Sequence, residues 1–508
     1  MPLLDRPWIL GAALVYLAGV LAIGAWSAGR TRTLRDFWIA GQSLGPVVTG
    51  IVTMAAAFSG FVFLGGPGLT YRIGVGSLFI NASVGFTSGL LGWTVAKRLR
   101  LLAEVREVYT VPDAILARYR SRAASGTAAV AILIGTVSYL GVQLLALGRL
   151  LEPVLGLPEV AGRWSFPAAL AIGLGVLLFY SVAGGMVAGV YTDLFQGALM
   201  MLSACVVFGY AMASGGGLER IGASLTGSAS FGRDFLEPFG RAPVLTAFGF
   251  FFVFGIGVLG QPHMLHKFFM LKDPRKLRWL PFTLGFSQIL CLLIWLGIGL
   301  AVPALVAQGR LAPLSNPDEA APLFLLHFTP GAVAGLAIAG ILSAVMSTAD
   351  SFMTIGSAIL VRDLPRAFGR PLHNELLWGR LATVGVTLGS TALAYVYGDL
   401  IALLGTFAFG TLGAALAPAL AVGLNWGRVT AAAATASIAT GAGLNLLLEM
   451  WGRQTWFPAL PKPPFAPGVL PAAVSLAASF TVLLAVTAWT ARRGDPPLDE
   501  DVSAVMEA

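Results

Sequence analysis

The amino-acid sequence predicts an all-α membrane protein with about 13 transmembrane helices. Of its 508 residues, 57% are apolar and only 11% are charged, which is too little charge to cover the surface of a soluble domain. Apolar segments of about 20 residues, the length at which a helix crosses a bilayer, recur along almost the whole chain. The formal net charge is +8, but Lys and Arg lie in short gaps between these segments, where they set orientation. We therefore expect the lipid bilayer as the main solvent and exclude nucleic acid as a partner.

The predicted spans fall into four groups along the chain. A leading helix at 8–28 precedes a first group of five at 46–64, 75–96, 128–147, 167–181 and 194–213. A second group of five covers 244–266, 280–302, 331–360, 378–394 and 401–424, and the last two helices cover 430–448 and 469–488. This divides the chain into a leading helix (1–29), a first half (30–213), an external loop (214–241), a second half (242–426), two additional helices (427–493) and an acidic tail (494–508), which we expect to be disordered.

Four gaps between the predicted spans are rich in Lys and Arg. They lie at 30–35, 97–122, 267–278 and 362–370. With 13 spans, all four gaps fall on the same side of the membrane, and an excess of Lys and Arg marks the cytoplasmic side. We therefore expect a multi-pass protein of the cell membrane, with its N-terminus outside and its C-terminus in the cytoplasm. The sequence does not indicate an oligomeric state.

Two apolar segments combine glycine with proline and can interrupt a helix. Residues 55–68 read AAAFSGFVFLGGPG, and residues 254–263 read FGIGVLGQPH. They lie five predicted helices apart, at corresponding positions in the two halves. Such a pair is typical of inverted-repeat transporters, whose binding site lies at the two broken helices. The pattern predicts a five-plus-five repeat with a site near residues 55–68 and 254–263.

A dense polar cluster occurs in the segment ILSAVMSTADS of the second half. Ala344, Ser347, Thr348 and Ser351 follow the i, i+3, i+4, i+7 spacing and therefore share one helical face beside Asp350. The hydroxyls could simply bond to carbonyls one turn back. A charge at membrane depth, however, usually marks an ion path, and hydroxyl and carbonyl oxygens suit an alkali cation. We interpret the cluster as functional.

A second intramembrane carboxylate, Asp193, lies near the cytoplasmic start of a helix. It could serve only to complement the helix dipole there. Its membrane depth also makes it a candidate for the ion path.

Six segments in order along the chain resemble a known family. They are FWIAGQSLGP, AAAFSGFVFLGGPG, YLGVQLLALGRLLE, YSVAGGMVAGVYTDLFQGALM, GQPHMLHKFF and AVMSTADS. These segments are similar to the sodium:solute symporter family, which includes bacterial sodium/proline, pantothenate and acetate or monocarboxylate symporters. The resemblance implies a five-plus-five core of the leucine-transporter type, with broken first and sixth core helices, one helix before it and two after it.

The resemblance also implies a sodium site between the first and eighth core helices. Its ligands would be the backbone carbonyls of Ala55 and Phe58, the carbonyl of Ala344 and the hydroxyls of Ser347 and Thr348. Asp193 corresponds to the family's acidic residue near the inner ion path, and Asp350 joins it as an ion-path candidate. One difference is Ala57, where the proline symporter has an aspartate implicated in coupling.

The implied solute-binding residues are Tyr139, Gln143, Ser59, Phe61, Phe254, Val258 and Pro262. Tyr139 matches an aromatic residue of the proline symporter's cavity, whereas Phe254 and Val258 replace its tryptophan and tyrosine. For Tyr139 and Gln143, ordinary hydrogen bonding between helices is an alternative. We expect His263 to be a structural histidine with satisfied hydrogen bonds.

The expected function is secondary active symport of a small organic solute with sodium, by alternating access. The solute would be a monocarboxylate, another organic acid or an amino acid, with no cofactor apart from Na⁺ as coupling ion. Proton coupling through Asp350, Asp193 and His263 is one alternative, and a transporter-like sensory receptor is another, although such receptors usually need an output domain and we expect none here. An enzyme is not expected, because the sequence has no HExxH, GxSxG or paired intramembrane aspartate motif.

Overall fold

The computed structural model describes residues 7–28, 42–183, 186–370, 372–397, 400–452, 465–490 and 498–507. Helices make up most of this part, and its β-type pairing is limited to one isolated bridge between Leu44 and Leu271. The all-α class predicted from composition is therefore confirmed for the described part of the chain. The first cation-rich gap, 30–35, lies outside the described residues.

The principal helices are numbered here in chain order. The leading helix and first half contain α1 Pro7–Ala28, α2 Pro46–Ala57, α3 Gly66–Ile73, α4 Val84–Leu91, α5 Lys97–Val105, α6 Val111–Tyr119, α7 Arg122–Val154, α8 Ser165–Ala183 and α9 Met186–Gly215. The second half and the end of the chain contain α10 Val244–Gly257, α11 Pro262–Phe268, α12 Leu280–Ala307, α13 Gly331–Ala358, α14 Glu375–Tyr397, α15 Ile401–Ala417, α16 Ala431–Gly452, α17 Pro471–Thr490 and α18 Glu500–Glu507. Helix Gly217–Thr226 occupies part of the predicted external loop.

Every segment predicted to span the membrane contains helix in the structure. Within the described residues, eight helices are long and apolar enough to cross a bilayer, and the bent pair formed by α10 and α11 raises the number to nine. The shorter apolar helices Pro7–Ile23 and Pro46–Ala57 fall below that length. A polytopic membrane protein is thus established, and the count of 13 spans stays a prediction.

The first helix break lies where the sequence places serine beside glycine. α2 ends at Ala57, and Phe58 is extended, with φ −93° and ψ 115°. The chain becomes helical again in the wide turn Phe61–Gly65, which continues into α3. Gly60 is needed between them, because a Cβ at this position would lie 2.4 Å from the Cβ of Ala146 on α7. The break therefore follows from the local sequence together with the close approach of α7.

The second helix break lies between α10 and α11, which are bent by 45°. After a single 3₁₀ turn, Gln261 is extended, with φ −86° and ψ 102°. Its side-chain amide donates hydrogen bonds to the carbonyl oxygens of Gly257 (3.0 Å) and Phe409 (2.9 Å). α15 can approach this closely because Gly413 has no side chain; a Cβ there would lie 2.6 Å from the Cα of Gly257. Both predicted interruptions are present, each packed against another helix.

The prediction of a disordered tail is wrong for residues 498–507. Glu500–Glu507 forms helix α18, which packs on α5 and buries Val502 and Val505. The Arg106 guanidinium donates to Asp499 (2.8 Å) and to Asp501 (2.5 Å) and lowers the pKa of the Asp501 carboxyl. The acidic composition of the tail indicated disorder. The prediction failed because the cation that neutralises these carboxylates comes from a loop almost 400 residues earlier in the chain.

Candidate functional site

A cluster of polar atoms connects the end of α2 with the middle of α13. The last carbonyls of a helix have no partner within the helix, and here two of them accept hydroxyl groups from α13. The Ser347 hydroxyl donates to the carbonyl of Ala55 (2.8 Å), and the Thr348 hydroxyl donates to that of Ala56 (3.1 Å). The Ser347 hydroxyl also lies 3.3 Å from the carbonyl oxygen of Ala344. The structure therefore brings together four of the five residues predicted for sodium.

The fifth predicted residue, Phe58, lies in the extended part of the break, and its carbonyl as a sodium ligand stays a prediction. Its N–H donates to the carbonyl of Met54 (2.8 Å), which closes the last turn of α2. The carbonyl that meets Thr348 belongs to Ala56, which the sequence reasoning did not name. Any residue type supplies the same carbonyl, so no side-chain signal could have selected Ala56. Ala56 is identified only by the position of α13 alongside the last turn of α2.

The donor set of this cluster is neutral and consists of oxygen atoms alone. Carbonyl and hydroxyl oxygens bind hard cations such as Na⁺, and a set without carboxylates holds a monovalent ion loosely enough for release. Ser347 and Thr348 are fully buried, so an ion bound there would be shielded from water. Among the described residues, no group of three His, Cys, Asp or Glu side chains could hold a metal ion.

Asp193, predicted for the ion path, forms a buried ion pair. Its Oδ2 lies 2.7 Å from the Nζ of Lys267 on α11, and the two side chains are only 2% and 5% exposed. Asp350 is nearby, with its Oδ2 3.3 Å from the position that a Cβ would take on Gly189. Gly189 precedes Asp193 by one turn of α9, so the two carboxylates lie close together. Lys267 was assigned by sequence to a cytoplasmic gap, and only the fold reveals it as the partner.

Tyr139 and Gln143 lie beside the first break, on α7. The Gln143 Oε1 accepts the backbone N–H of Gly60 (3.1 Å), and its Nε2 donates to the carbonyl of Tyr139 (3.3 Å). Within the break, the N–H of Phe61 donates to the Ser59 hydroxyl (3.2 Å). Gln143 thus satisfies a backbone donor of the interrupted helix, which matches the interhelical alternative raised from the sequence.

Two predicted aromatic residues of the solute site, Phe61 and Phe254, form a stack with Phe409 between the two breaks. The rings of Phe61 and Phe254 lie 5.4 Å apart, and the ring of Phe254 lies 4.5 Å from that of Phe409 on α15. Val258 follows Phe254 by one turn and is also buried. The sequence did not predict Phe409 as part of this stack, because its contact with Phe254 depends on how α15 packs against α10.

Pro262 and His263 begin α11 directly after the second break. Pro262 lines a small cavity of about 20 Å³, shared with Ile132 and His266, and its solute role stays a prediction. His263 packs against the rings of Tyr139 (5.5 Å) and Phe352 (4.5 Å). Both of its ring nitrogens are buried without a hydrogen-bond partner in the described part of the chain. The described residues therefore supply no hydrogen-bond partner to His263, which the sequence interpretation expected to have one.

Comparison with known proteins places this geometry in a family. The model of the sodium:solute symporter family matches residues 37–441. The sodium/proline symporter of Escherichia coli (strain K12) is 28% identical over 458 residues, covering 87% of each chain. The sodium/pantothenate symporter of Haemophilus influenzae (strain ATCC 51907 / DSM 11121 / KW20 / Rd) is 28% identical over 459 residues, covering 88% of this chain and 90% of its own.

Solved structures add evidence for the fold. A Na⁺-coupled sialic acid symporter in a substrate-bound outward-open state has a TM-score of 0.74 at 18% identity, covering 96% of this chain and 98% of its own. At 18% identity, this similarity shows only that the two proteins share a fold. The family match, in contrast, extends over most of the chain and includes both broken helices and the polar cluster between α2 and α13. The chain belongs to the sodium:solute symporter family.

Proposed function

We propose that the protein is a sodium-coupled symporter of a small organic solute, with a small monocarboxylate or related organic acid preferred. The observation that carries the proposal is the meeting of the Ser347 and Thr348 hydroxyls with the α2 carbonyls of Ala55 and Ala56. Membership of a family whose relatives are sodium/proline and sodium/pantothenate symporters supports sodium as the coupling ion. The apolar helices support a location in the cell membrane.

The coupling mechanism follows from where these oxygen atoms lie. α2 and α13 belong to different halves of the chain, and each supplies part of the oxygen set. Sodium bound between them holds the two helices together, so it stabilises the conformation in which they meet and disfavours forms in which they separate. In this mechanism sodium favours the outward-open form, the solute then binds at the breaks, and both are released inward after the protein changes conformation.

The solute class is inferred from the atoms around the two breaks. Helix segments that begin inside the protein present partial positive charge at their first N–H groups, which suits a carboxylate. The neighbouring wall is apolar, since Phe61, Phe254 and Phe409 stack on one another. One carboxylate with a small apolar body fits this combination better than a sugar or a multiply charged anion.

Uptake into proteoliposomes tests the proposal. We expect acetate, pyruvate or lactate to accumulate under an inward sodium gradient and proline to be taken up more weakly. The same assay without sodium but with a pH gradient tests the proton-coupled alternative. Uptake of proline alone would contradict the solute assignment, and pH-driven uptake without sodium would contradict the coupling ion.

Orientation is a further part of the proposal, with the N-terminus outside and the C-terminus in the cytoplasm. Single cysteines at Ser121 and Lys272, in a background lacking Cys205 and Cys291, are expected to resist an impermeant thiol reagent in intact cells. Both positions lie in cation-rich gaps, which should face the cytoplasm. Labelling from outside at both positions would contradict the orientation.

A further inference from the structure

The buried ion pair between Asp193 and Lys267 connects a helix of the first half of the chain with a helix of the second half. Lys267 lies in the last turn of α11, the short helix after the second break, whereas Asp193 lies on α9. Burying a carboxylate and an ammonium is costly, and the pair repays that cost only through close contact. Their 2.7 Å separation supplies this contact for Asp193 Oδ2, while Oδ1 has no hydrogen-bond partner within the described residues.

Along α9, the ion pair lies about one helical turn from the polar cluster that we propose for sodium. Gly197 of α9 packs against that cluster, since a Cβ on Gly197 would lie 3.4 Å from the Cβ of Ala55. Asp193 precedes Gly197 by one helical turn, and Gly189, which contacts Asp350, precedes it by two. Along α9, the order from the cluster toward the N-terminal end of the helix is therefore Gly197, Asp193 and then Gly189.

Two carboxyl groups, those of Asp193 and Asp350, lie close to the single ammonium of Lys267 and next to a neutral ion site. A cation leaving the cluster in this direction meets Asp193, whose Oδ1 accepts no hydrogen bond from the described residues. Two cations on the same carboxylate repel each other, so an arriving ion weakens the hold of Lys267.

We propose that Lys267 is a positioning residue that acts as a tethered cation and competes with sodium for Asp193. Sodium moving inward takes the place of the Lys267 ammonium, and loss of the ion pair releases the Lys267 end of α11 from α9. Lys267 thereby limits how tightly sodium is held and links its departure to movement of the second broken helix. The inference rests on the proposed sodium coupling and adds to it the residue that controls release.

Two substitutions of Lys267 separate this role from a purely structural one, because they shift sodium binding in opposite directions. Lys267→Gln keeps a hydrogen-bond donor for Asp193 but removes the competing charge, so the sodium concentration for half-maximal binding should fall by about tenfold. Lys267→Arg keeps the charge and binds a carboxylate through two N–H groups, so it competes more strongly and should raise that concentration by about threefold.

Sodium binding is measured as the rise in thermal stability of the purified protein with sodium concentration, which requires no transport. Lys272→Gln removes the same charge from an exposed position of the following loop and should leave sodium binding unchanged. In proteoliposomes, Lys267→Gln should also slow net uptake more than solute exchange, because sodium release is retarded.

The outcomes distinguish this inference from the proposed function. If the wild-type protein is not stabilised by sodium, the proposed coupling fails. If it is stabilised but neither Lys267 variant shifts the sodium dependence, or both variants weaken it, the ion pair is only structural and the inference is overturned. Should Lys267→Gln not fold, Lys267→Arg still decides the matter, because a structural role predicts wild-type sodium dependence for an arginine that keeps the ion pair.

Discussion

Ser347→Ala and Thr348→Ala are each expected to raise the sodium concentration required for half-maximal uptake by about five- to thirtyfold. Each substitution removes one hydroxyl oxygen from a small, neutral set, and the loss of one such contact costs about 1 to 2 kcal/mol. Because sodium favours one conformation, the apparent affinity for the solute at low sodium must fall as well, and saturating sodium should largely restore it. Uptake measured across a sodium series in proteoliposomes checks both effects.

Ser357→Ala is the matched control on the same helix. The Ser357 hydroxyl donates to the carbonyl of Thr354 one turn back (3.0 Å), so its removal deletes a hydroxyl without touching α2. Its sodium dependence should equal that of the wild type. Unchanged sodium dependence in both cluster variants, at normal expression, would exclude this site from the mechanism and favour proton coupling.

The same two hydroxyls also stabilise the folded protein, and this contribution must be separated from sodium binding. Without sodium they satisfy the carbonyls of Ala55 and Ala56, which lie in a fully buried part of α2. A buried carbonyl left without a partner costs about 1 to 3 kcal/mol. We therefore expect both variants to unfold at a lower temperature than the wild type in sodium-free buffer. The effect on sodium binding is measured separately, as the difference between variant and wild type in how steeply the unfolding temperature rises with sodium concentration.

The features that the sequence predicted are those determined by local chemistry. Glycine and proline favour helix ends, and both breaks lie within the two segments that combine these residues, so the segments could be located before the structure was known. The spacing of Ser347 and Thr348 gave their shared face, because a helix fixes which positions point together. Their use as sodium ligands stays a prediction, as do the solute roles of Tyr139 and Gln143.

The features that the sequence did not predict depend on packing between distant segments. The carbonyl of Ala56 carries no side-chain signal, and Lys267 is a partner of Asp193 only because its side chain reaches from α11 to α9. Phe409 reaches Phe254 through the close crossing of α10 and α15. Helix α18 looked disordered because its counter-charge, Arg106, is distant in sequence.

The hydrogen bond from Gly60 to Gln143 makes this glutamine a side-chain support of the first break. Gln143→Leu keeps a side chain of similar size but removes the acceptor, leaving the Gly60 N–H buried without its partner. The cost of about 1 to 3 kcal/mol falls on the segment that is proposed to bind the solute. We therefore expect the solute concentration for half-maximal uptake to rise at least about fivefold. Sodium-dependent stabilisation of the purified protein should change much less, because the α2 carbonyls precede the break.

Two further variants test whether a loss of solute affinity in Gln143→Leu reflects a specific role of Gln143. Gln143→Glu retains an oxygen acceptor for Gly60 and should keep the solute affinity closer to that of the wild type than Gln143→Leu does. Gln308→Leu is the control, because Gln308 also bonds to a backbone carbonyl, that of Gly215 (3.1 Å), but follows α12 and lies far from the break in sequence. A uniform loss of stability in Gln143→Leu and Gln308→Leu, without a selective loss of solute affinity in the first, would mean that Gln143 supports the fold and has no particular part in solute binding.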